Sequence, residues 1–183
     1  PNLNVYRPAD GYETAYAWGA ALERTDGPSA LLLTRQKVPP LTRAGGEMGD
    51  VRRGGYRVVG DGRPDLILAA TGSEVSLAID VRRALAEEGR DAHVVSIPCL
   101  EILNEQDPVY RAQLFPREVP VVTLEAGRTA PWKAIGGRDG LNIGIDRFGA
   151  SAPADVLAEK FGLTVDSVVD RIRRWGSARP SDS

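Results

Sequence analysis

Asp65-Leu66-Ile67-Leu68-Ala69-Ala70-Thr71-Gly72-Ser73-Glu74-Val75 decides the fold. From Leu66 to Ala70 the run is apolar without alternation, the pattern of a strand buried on both faces. Thr71-Gly72-Ser73 supplies a turn, and Ser73 can cap the helix after it. In that helix Val75, Ala78, Ile79 and Leu85 share one face, and Gly89 is the C-terminal stop. The same alternation continues outward. Ala92–Ile97 is the next strand, a short helix spans Pro108 to Leu114, Val119–Leu124 is a third strand, and Asn142–Ile145 is a weaker fourth. Two helices end the chain, one starting near Pro153, which suits a first turn, and one near Thr164. In the last, Val165, Val168, Val169 and Ile172 recur at helical spacing. Strand–helix alternation with apolar strands predicts an α/β fold: an open, mostly parallel sheet of about five strands with helices on both faces.

Upstream of this block the pattern changes. Asp10-Gly11-Tyr12-Glu13 has the spacing of a helix N-terminus, related to the capping box. Tyr12, Ala15, Tyr16, Gly19 and Leu22 fall on one face of the expected helix, and Gly27-Pro28 ends it. Ser29–Thr34 is a short apolar run expected as a buried strand. Residues 37–55 carry Pro39-Pro40, Gly45-Gly46 and Gly54-Gly55 among charged residues, which predicts an inter-domain linker. The expected organisation is therefore a partial α/β domain at 1–36, a linker at 37–55, an α/β domain at 56–178 and a frayed tail at 179–183.

Composition narrows the class. The chain has 183 residues, 42% apolar and 26% charged, the balance of an ordinary globular protein. Net charge is −2 with signs interspersed, so no basic stripe points to nucleic acid and no polybasic anchor points to a membrane. No apolar run approaches the ~20 residues of a spanning helix. The single cysteine, Cys99, excludes an internal disulfide framework and reads as a small buried hydrophobe. The chain starts Pro1-Asn2-Leu3 without methionine, as a fragment or processed product would.

Few residues carry chemistry. Gly60-Asp61-Gly62 resembles a thiamine diphosphate metal motif, but it precedes a strand and runs into Arg63-Pro64, so it reads as a tight turn. Thr71-Gly72-Ser73 lacks the lysine and longer glycine pattern of a phosphate loop, so a helix cap is preferred. His93, the only histidine, is expected as a half-buried structural residue, because one histidine cannot form a metal site. Glu125 closes an apolar strand, where a functional crevice is open to it and so is a structural role as a salt bridge or helix cap. Trp18, Trp132 and Trp175 read as core or interface residues. Arg35 ends the Ser29–Thr34 run. A planar guanidinium there can grip phosphate with two parallel bonds or can form a structural ion pair.

The order of these segments resembles transketolase over nearly the whole chain. Arg7-Pro8-Ala9-Asp10 with Glu13 is similar to the family's lead-in to a helix of the pyrimidine-binding domain. Gly27–Gln36 resembles the strand that runs into the family's S/T-R-Q turn, here Thr34-Arg35-Gln36. Arg53-Gly54-Gly55-Tyr56, Ala70–Val75, Glu125-Ala126-Gly127 and Phe148–Thr164 resemble successive parts of the C-terminal domain. The resemblance implies a fragment of a homodimeric enzyme that uses thiamine diphosphate and Mg2+ or another divalent cation. That enzyme transfers a two-carbon ketol unit between sugar phosphates in the cytoplasm. It implies that Arg35 binds the substrate phosphate. It also implies that the catalytic, cofactor-binding and metal residues belong to upstream segments, with none in this chain. Glu13 and Glu125 are not candidates for the cofactor-activating glutamate. The fragment alone is expected to be inactive and to bind no cofactor. Two other readings stand beside it: a non-catalytic dimerisation or regulatory domain, and the corresponding part of another thiamine diphosphate enzyme.

Overall fold

An apolar run with no solvated face belongs at the centre of a sheet, and the computed structural model places it there. It describes residues 2–43, 51–137 and 139–178. The expected tail, 179–183, and the middle of the expected linker, 44–50, lie outside the described residues. β1 (Asn4–Tyr6), α1 (Gly11–Glu23) and β2 (Ser29–Leu31) form a first unit. A 3-10 turn at Val51–Arg53 then leads to β3 (Tyr56–Val59), β4 (Leu66–Ala70), α2 (Glu74–Glu87) and β5 (Ala92–Ser96). α3 (Leu100–Glu105), α4 (Pro108–Leu114), β6 (Val121–Leu124), α5 (Lys133–Gly136), β7 (Leu141–Ile143), α6 (Ala154–Phe161) and α7 (Val165–Ser177) complete the order.

The larger sheet has the order β3-β5-β4-β6-β7. All pairings are parallel except β3 with β5, so β3 is an antiparallel edge. Every residue of β4 is buried. Its Leu66, Leu68 and Ala70 face α2 and α7, which bury Val75, Ala78, Val81, Leu85, Val168, Val169 and Ile172. Its Ile67 and Ala69 face the other way, toward Leu103 of α3, Leu114 of α4 and Trp132. Period-two alternation within one strand thus feeds two cores, which explains the lack of any polar position. From β4 the chain passes to β5 on one side and later to β6 on the other. That reversal opens a crevice at the carboxyl ends of the strands.

The first unit departs from expectation. The run at Ser29–Thr34 is not a buried strand. β2 has three half-buried residues, and Leu32 and Leu33 are 49% and 53% exposed. It pairs only with β1, in parallel, so its sheet has two strands and covers little beyond Leu31. Of the expected face of α1, Tyr12 and Tyr16 pack half-buried on the main core, but the face turned fully inward is a neighbouring one. Glu13 and Ala17 are buried, whereas Leu22 is 78% exposed and Trp18 53%. Glu13, not an apolar stripe, sets this rotation. Asp10 caps α1 as expected, accepting from Glu13 N at 2.9 Å. Ser73 does not cap α2: its hydroxyl donates to Glu74 Oε1 instead, at 2.8 Å. The sequence pattern does not predict β1, β3, α3 or α5. Within the expected linker, Leu41 and Val51 are buried in the core.

Glu13 ties the two units together. Its Oε1 accepts from the Tyr56 and Ser96 hydroxyls, each at 2.7 Å, and its Oε2 accepts from Ala9 N at 2.7 Å. Asp10 extends the link, accepting from Leu41 N and from Arg43. Arg43 also donates to the Tyr56 hydroxyl and lies 4.5 Å over the Tyr12 ring. Backbone bonds add to this: Arg7 N donates to Pro98 O, and Gly72 N to Arg7 O. Removing one partner of a buried network leaves the others unsatisfied, at about 1–3 kcal/mol per group. We expect Glu13→Ala to lower the unfolding free energy of the chain by about 3 kcal/mol or more. Glu13→Gln should cost less, because its amide keeps an acceptor for Ala9 N while the two hydroxyls can turn to accept. Urea denaturation of both variants measures the difference.

Candidate functional site

Among the described residues, two regions apart from the buried Glu13 network are candidates. The first is the crevice at the carboxyl ends of β4, β5 and β6, a cavity of about 210 Å³. Thr71 follows β4, Ile97 and Pro98 follow β5, and Glu125 follows β6. Arg7, immediately after β1, closes it from the first unit. Arg7 Nη1 lies 2.6 Å from Glu125 Oε1. The contact is an ion pair out of line for a hydrogen bond, since Oε1 has no aligned donor. Glu125 therefore forms a salt bridge, one of the sequence options, and lines the crevice.

Burial dominates the electrostatics of Glu125. Its side chain is only 4% exposed, and desolvation pushes its carboxyl up to about 7. The Arg7 charge opposes that rise, Glu74 reinforces it, and the Trp132 side chain opposes it. The neighbouring Glu74 carboxylate accepts from Ser73 and from Ala126 N. Glu13, at the junction, is also raised by burial, against the pull of its hydrogen bonds. Asp10 is held below its usual value: its bonds from Arg43 and the backbone outweigh a larger single cost of burial.

The second region is the turn Thr34-Arg35-Gln36. Arg35 is exposed, and among the described residues it has no ion pair. Gln36 N donates to Thr34 Oγ1 at 3.2 Å, a local bond that shapes the turn. The segment is held at both ends. Leu32 N donates to Tyr6 O, and Leu41 N to Asp10 Oδ2. Gln36 also lines a larger groove of about 500 Å³, whose apolar wall is Leu77, Leu157, Phe161 and Leu163.

The other candidates fall into structural places. Gly60-Asp61-Gly62 is the connection from β3 to β4, with φ of +120° at Gly60 and +69° at Gly62. A side chain at Gly60 would strike the His93 ring, as a Cβ there would lie 2.3 Å from it. His93 is buried rather than half-buried, because β5 is covered on both faces; its Nε2 is 3.3 Å from Asp61 O. Cys99 is buried, and burial pushes its thiol up to about 12. Trp132 is core, Trp175 packs on the α2–α7 core, and Trp18 is exposed. The described residues contain no cluster of three metal-ligating side chains. Sequence reasoning misses Arg7 as a crevice residue. Its place depends on β1, only three residues long, which sets it beside the end of β6.

Residues 1–40 match the family described as the transketolase pyrimidine-binding domain, and residues 54–164 match the transketolase-like C-terminal domain. The chain is 48% identical over 164 residues to the chromosomal transketolase of Cupriavidus necator, covering 90% of this chain and 24% of that protein. Its fold superimposes on a transketolase of Leishmania mexicana with a TM-score of 0.88 at 41% identity, covering 99% of this chain and 26% of that one. A Pichia stipitis transketolase in complex with sedoheptulose-7-phosphate matches with a TM-score of 0.89 at 37% identity, over 97% and 25%. The chain thus spans about a quarter of the length of the relatives it matches.

The raised carboxyl of Glu125 has a definite consequence for stability. Its usual value is 4.5 and its folded value about 7, so folding takes up a proton between them. The stabilisation from this group is complete below about 4.5 and is lost as pH rises to about 7. We expect Glu125→Gln to flatten that slope, with a change on the order of 3 kcal/mol across the window. Urea denaturation of wild type and variant from acid to mildly alkaline pH measures it. Glu13 contributes in the same sense, so the difference between the two curves isolates Glu125.

Proposed function

This chain belongs to the transketolase family, and from that premise we propose that it is the C-terminal part of a thiamine diphosphate-dependent transketolase. The whole enzyme moves a two-carbon ketol unit between sugar phosphates. The observation that carries the reading is the Thr34-Arg35-Gln36 turn. It presents an exposed guanidinium, with no ion pair among the described residues, from a segment tethered at both ends. In this reading residues 1–36 complete a pyrimidine-binding domain, 37–55 connect, and 56–178 form the C-terminal domain. Partners are the rest of the enzyme chain and a second copy in a homodimer. No helix among the described residues is long and apolar enough to cross a membrane, and the reading places the enzyme in the cytoplasm.

The described residues do not fit a diphosphate–metal cradle. The one candidate, Gly60-Asp61-Gly62, is a connection packed on His93, and no metal-ligating cluster accompanies it. Thiamine diphosphate and its divalent cation are therefore assigned to other segments of the full-length enzyme. This chain's contribution is binding and orientation. Arg35 offers a planar fork that matches two phosphate oxygens. Holding the far end of a sugar phosphate fixes its reacting carbons and lets remote binding energy lower the barrier.

A structural role in assembly is the second reading. It is favoured by the exposed apolar side chains Trp18, Leu22, Leu32 and Leu33 on the first unit. The two readings part in their response to substitution at Arg35. In the full-length enzyme, Arg35→Ala should weaken phosphorylated substrates by about ten- to a hundredfold relative to unphosphorylated analogues. Arg35→Lys should recover part of the loss, because the charge stays but the fork is gone. Specificity constants for a sugar phosphate and its free sugar measure this. An unchanged ratio between the two would remove Arg35 as the phosphate anchor.

A further inference from the structure

An exposed arginine anchors a phosphate well only if its backbone is held still. Between Leu32 and Leu41 the chain is largely exposed, and among the described residues it makes one hydrogen bond, from Gln36 N to Thr34 Oγ1. That bond closes the turn around Arg35 but ties it to nothing outside. Direction therefore comes from the two ends. At the upstream end Leu32 N donates to Tyr6 O at 2.8 Å, continuing the β1–β2 pairing. At the downstream end the tie is a side chain: Leu41 N donates to Asp10 Oδ2 at 2.9 Å. Leu41 also buries its side chain in the main core, but apolar burial is non-directional and does not orient a backbone. Pro39 and Pro40 come just before it, and their fixed φ makes a stiff spacer between this tie and the turn.

The side chain of Asp10 is only 1% exposed, and its two oxygens have separate partners. Oδ1 accepts from Glu13 N at 2.9 Å and from Arg43 Nη2 at 3.0 Å, while Oδ2 accepts from Leu41 N. Capping α1 uses one oxygen, and asparagine caps a helix about as well as aspartate. Asparagine cannot accept on both sides. With its oxygen kept for Glu13 N and Arg43, its NH2 would face the Leu41 N–H, donor against donor. The helix start therefore does not require a carboxylate, whereas the simultaneous tie to Leu41 does.

We propose that Asp10 is a positioning residue for the phosphate anchor. Through Leu41 N it confines the Arg35 turn, so that the turn's conformational freedom is lost on folding and not on substrate binding. Buried as it is, Asp10 acts through the loop and not on the substrate. This role rests on the reading of Arg35 as the phosphate anchor and extends it to a residue 25 positions upstream, outside the Thr34-Arg35-Gln36 turn.

Steady-state kinetics of the full-length enzyme, with a sugar phosphate and its free sugar as paired substrates, test it. Asp10→Asn keeps the side-chain volume and the helix cap but removes the Leu41 tie. The ratio of specificity constants, sugar phosphate over free sugar, should fall by about three- to tenfold, the size of one hydrogen bond's net contribution. The loss should lie in KM, because the loosened guanidinium still meets the phosphate once the substrate is bound. In an Arg35→Ala background, Asp10→Asn should change the ratio no further. Pro39→Gly combined with Pro40→Gly should lower the ratio in the same sense, by loosening the spacer. Both prolines are exposed, so this arm leaves the core untouched and decides alone if the Asn variant does not fold. An equal loss for both substrates, an unchanged ratio, or an undiminished effect of Asp10→Asn in the absence of Arg35 would each overturn the proposal. If Arg35→Ala itself leaves the ratio unchanged, the phosphate reading fails and takes the proposal with it. Failure of Asp10→Asn alone leaves that reading standing.

Discussion

A single carboxylate, that of Glu13, holds three stretches of chain in one place. It is fully buried, and a buried carboxylate is tolerable only when its lone pairs are occupied. The occupants are the Ala9 amide, the Tyr56 hydroxyl and the Ser96 hydroxyl, the last two from β3 and the end of β5. Those demands fix the rotation of α1 and the register of the first unit against the large sheet. They also set where Arg7 lies, because the backbone between β1 and α1 is short and Arg7 is pinned to Pro98 and Gly72. The crevice wall thus depends on a hydrogen-bond requirement some distance from it.

The Arg7–Glu125 pair shows the opposite balance. Burial destabilises the charged form of Glu125 more than the Arg7 charge stabilises it, since its carboxyl is raised despite an ion pair at 2.6 Å. Such pairs add little net stability compared with apolar packing of the same volume. What the pair supplies is placement: it matches the residue just after β1 to the residue just after β6. Arg7 remains 31% exposed and keeps contact with solvent in the crevice.

Legibility in the sequence tracks burial. β4, β5 and β6 can be read because strands covered on both faces need unbroken apolar runs, and α7 because its buried positions recur at helical spacing. β1 and β3 cannot, since three and four residues carry too little pattern to stand out. The misjudged face of α1 has a different cause. Glu13 is recognisable as part of a helix cap, four residues from Ala9, but its other partners lie 43 and 83 residues away. No local rule makes a glutamate point inward, so the apolar stripe through Leu22 is the natural choice, and only Tyr12 and Tyr16 of it pack on the core. The Ser29–Thr34 run fails because a strand is buried only if something lies over it. Arg35 is legible as chemistry, whereas the crevice needs Arg7 and Glu125, near opposite ends of the sheet-forming sequence, to be brought together by the fold.

Asp10 connects the buried network to the exposed turn. One of its oxygens accepts from Glu13 N and pairs with Arg43; the other accepts from Leu41 N. Leu41 is itself buried in the main core, and Leu32 is tied to Tyr6 at the other end of the segment. A turn carrying a long arginine side chain would lose much of its directing power if its ends could drift, because the loss of conformational freedom would then fall on ligand binding. Fixing both ends to the capped start of α1 and to β1 moves that loss to folding, where burial of the core offsets it. The same residue that starts a helix therefore confines the loop after its partner strand. A short, weakly covered strand can still present a charged side chain at a defined position.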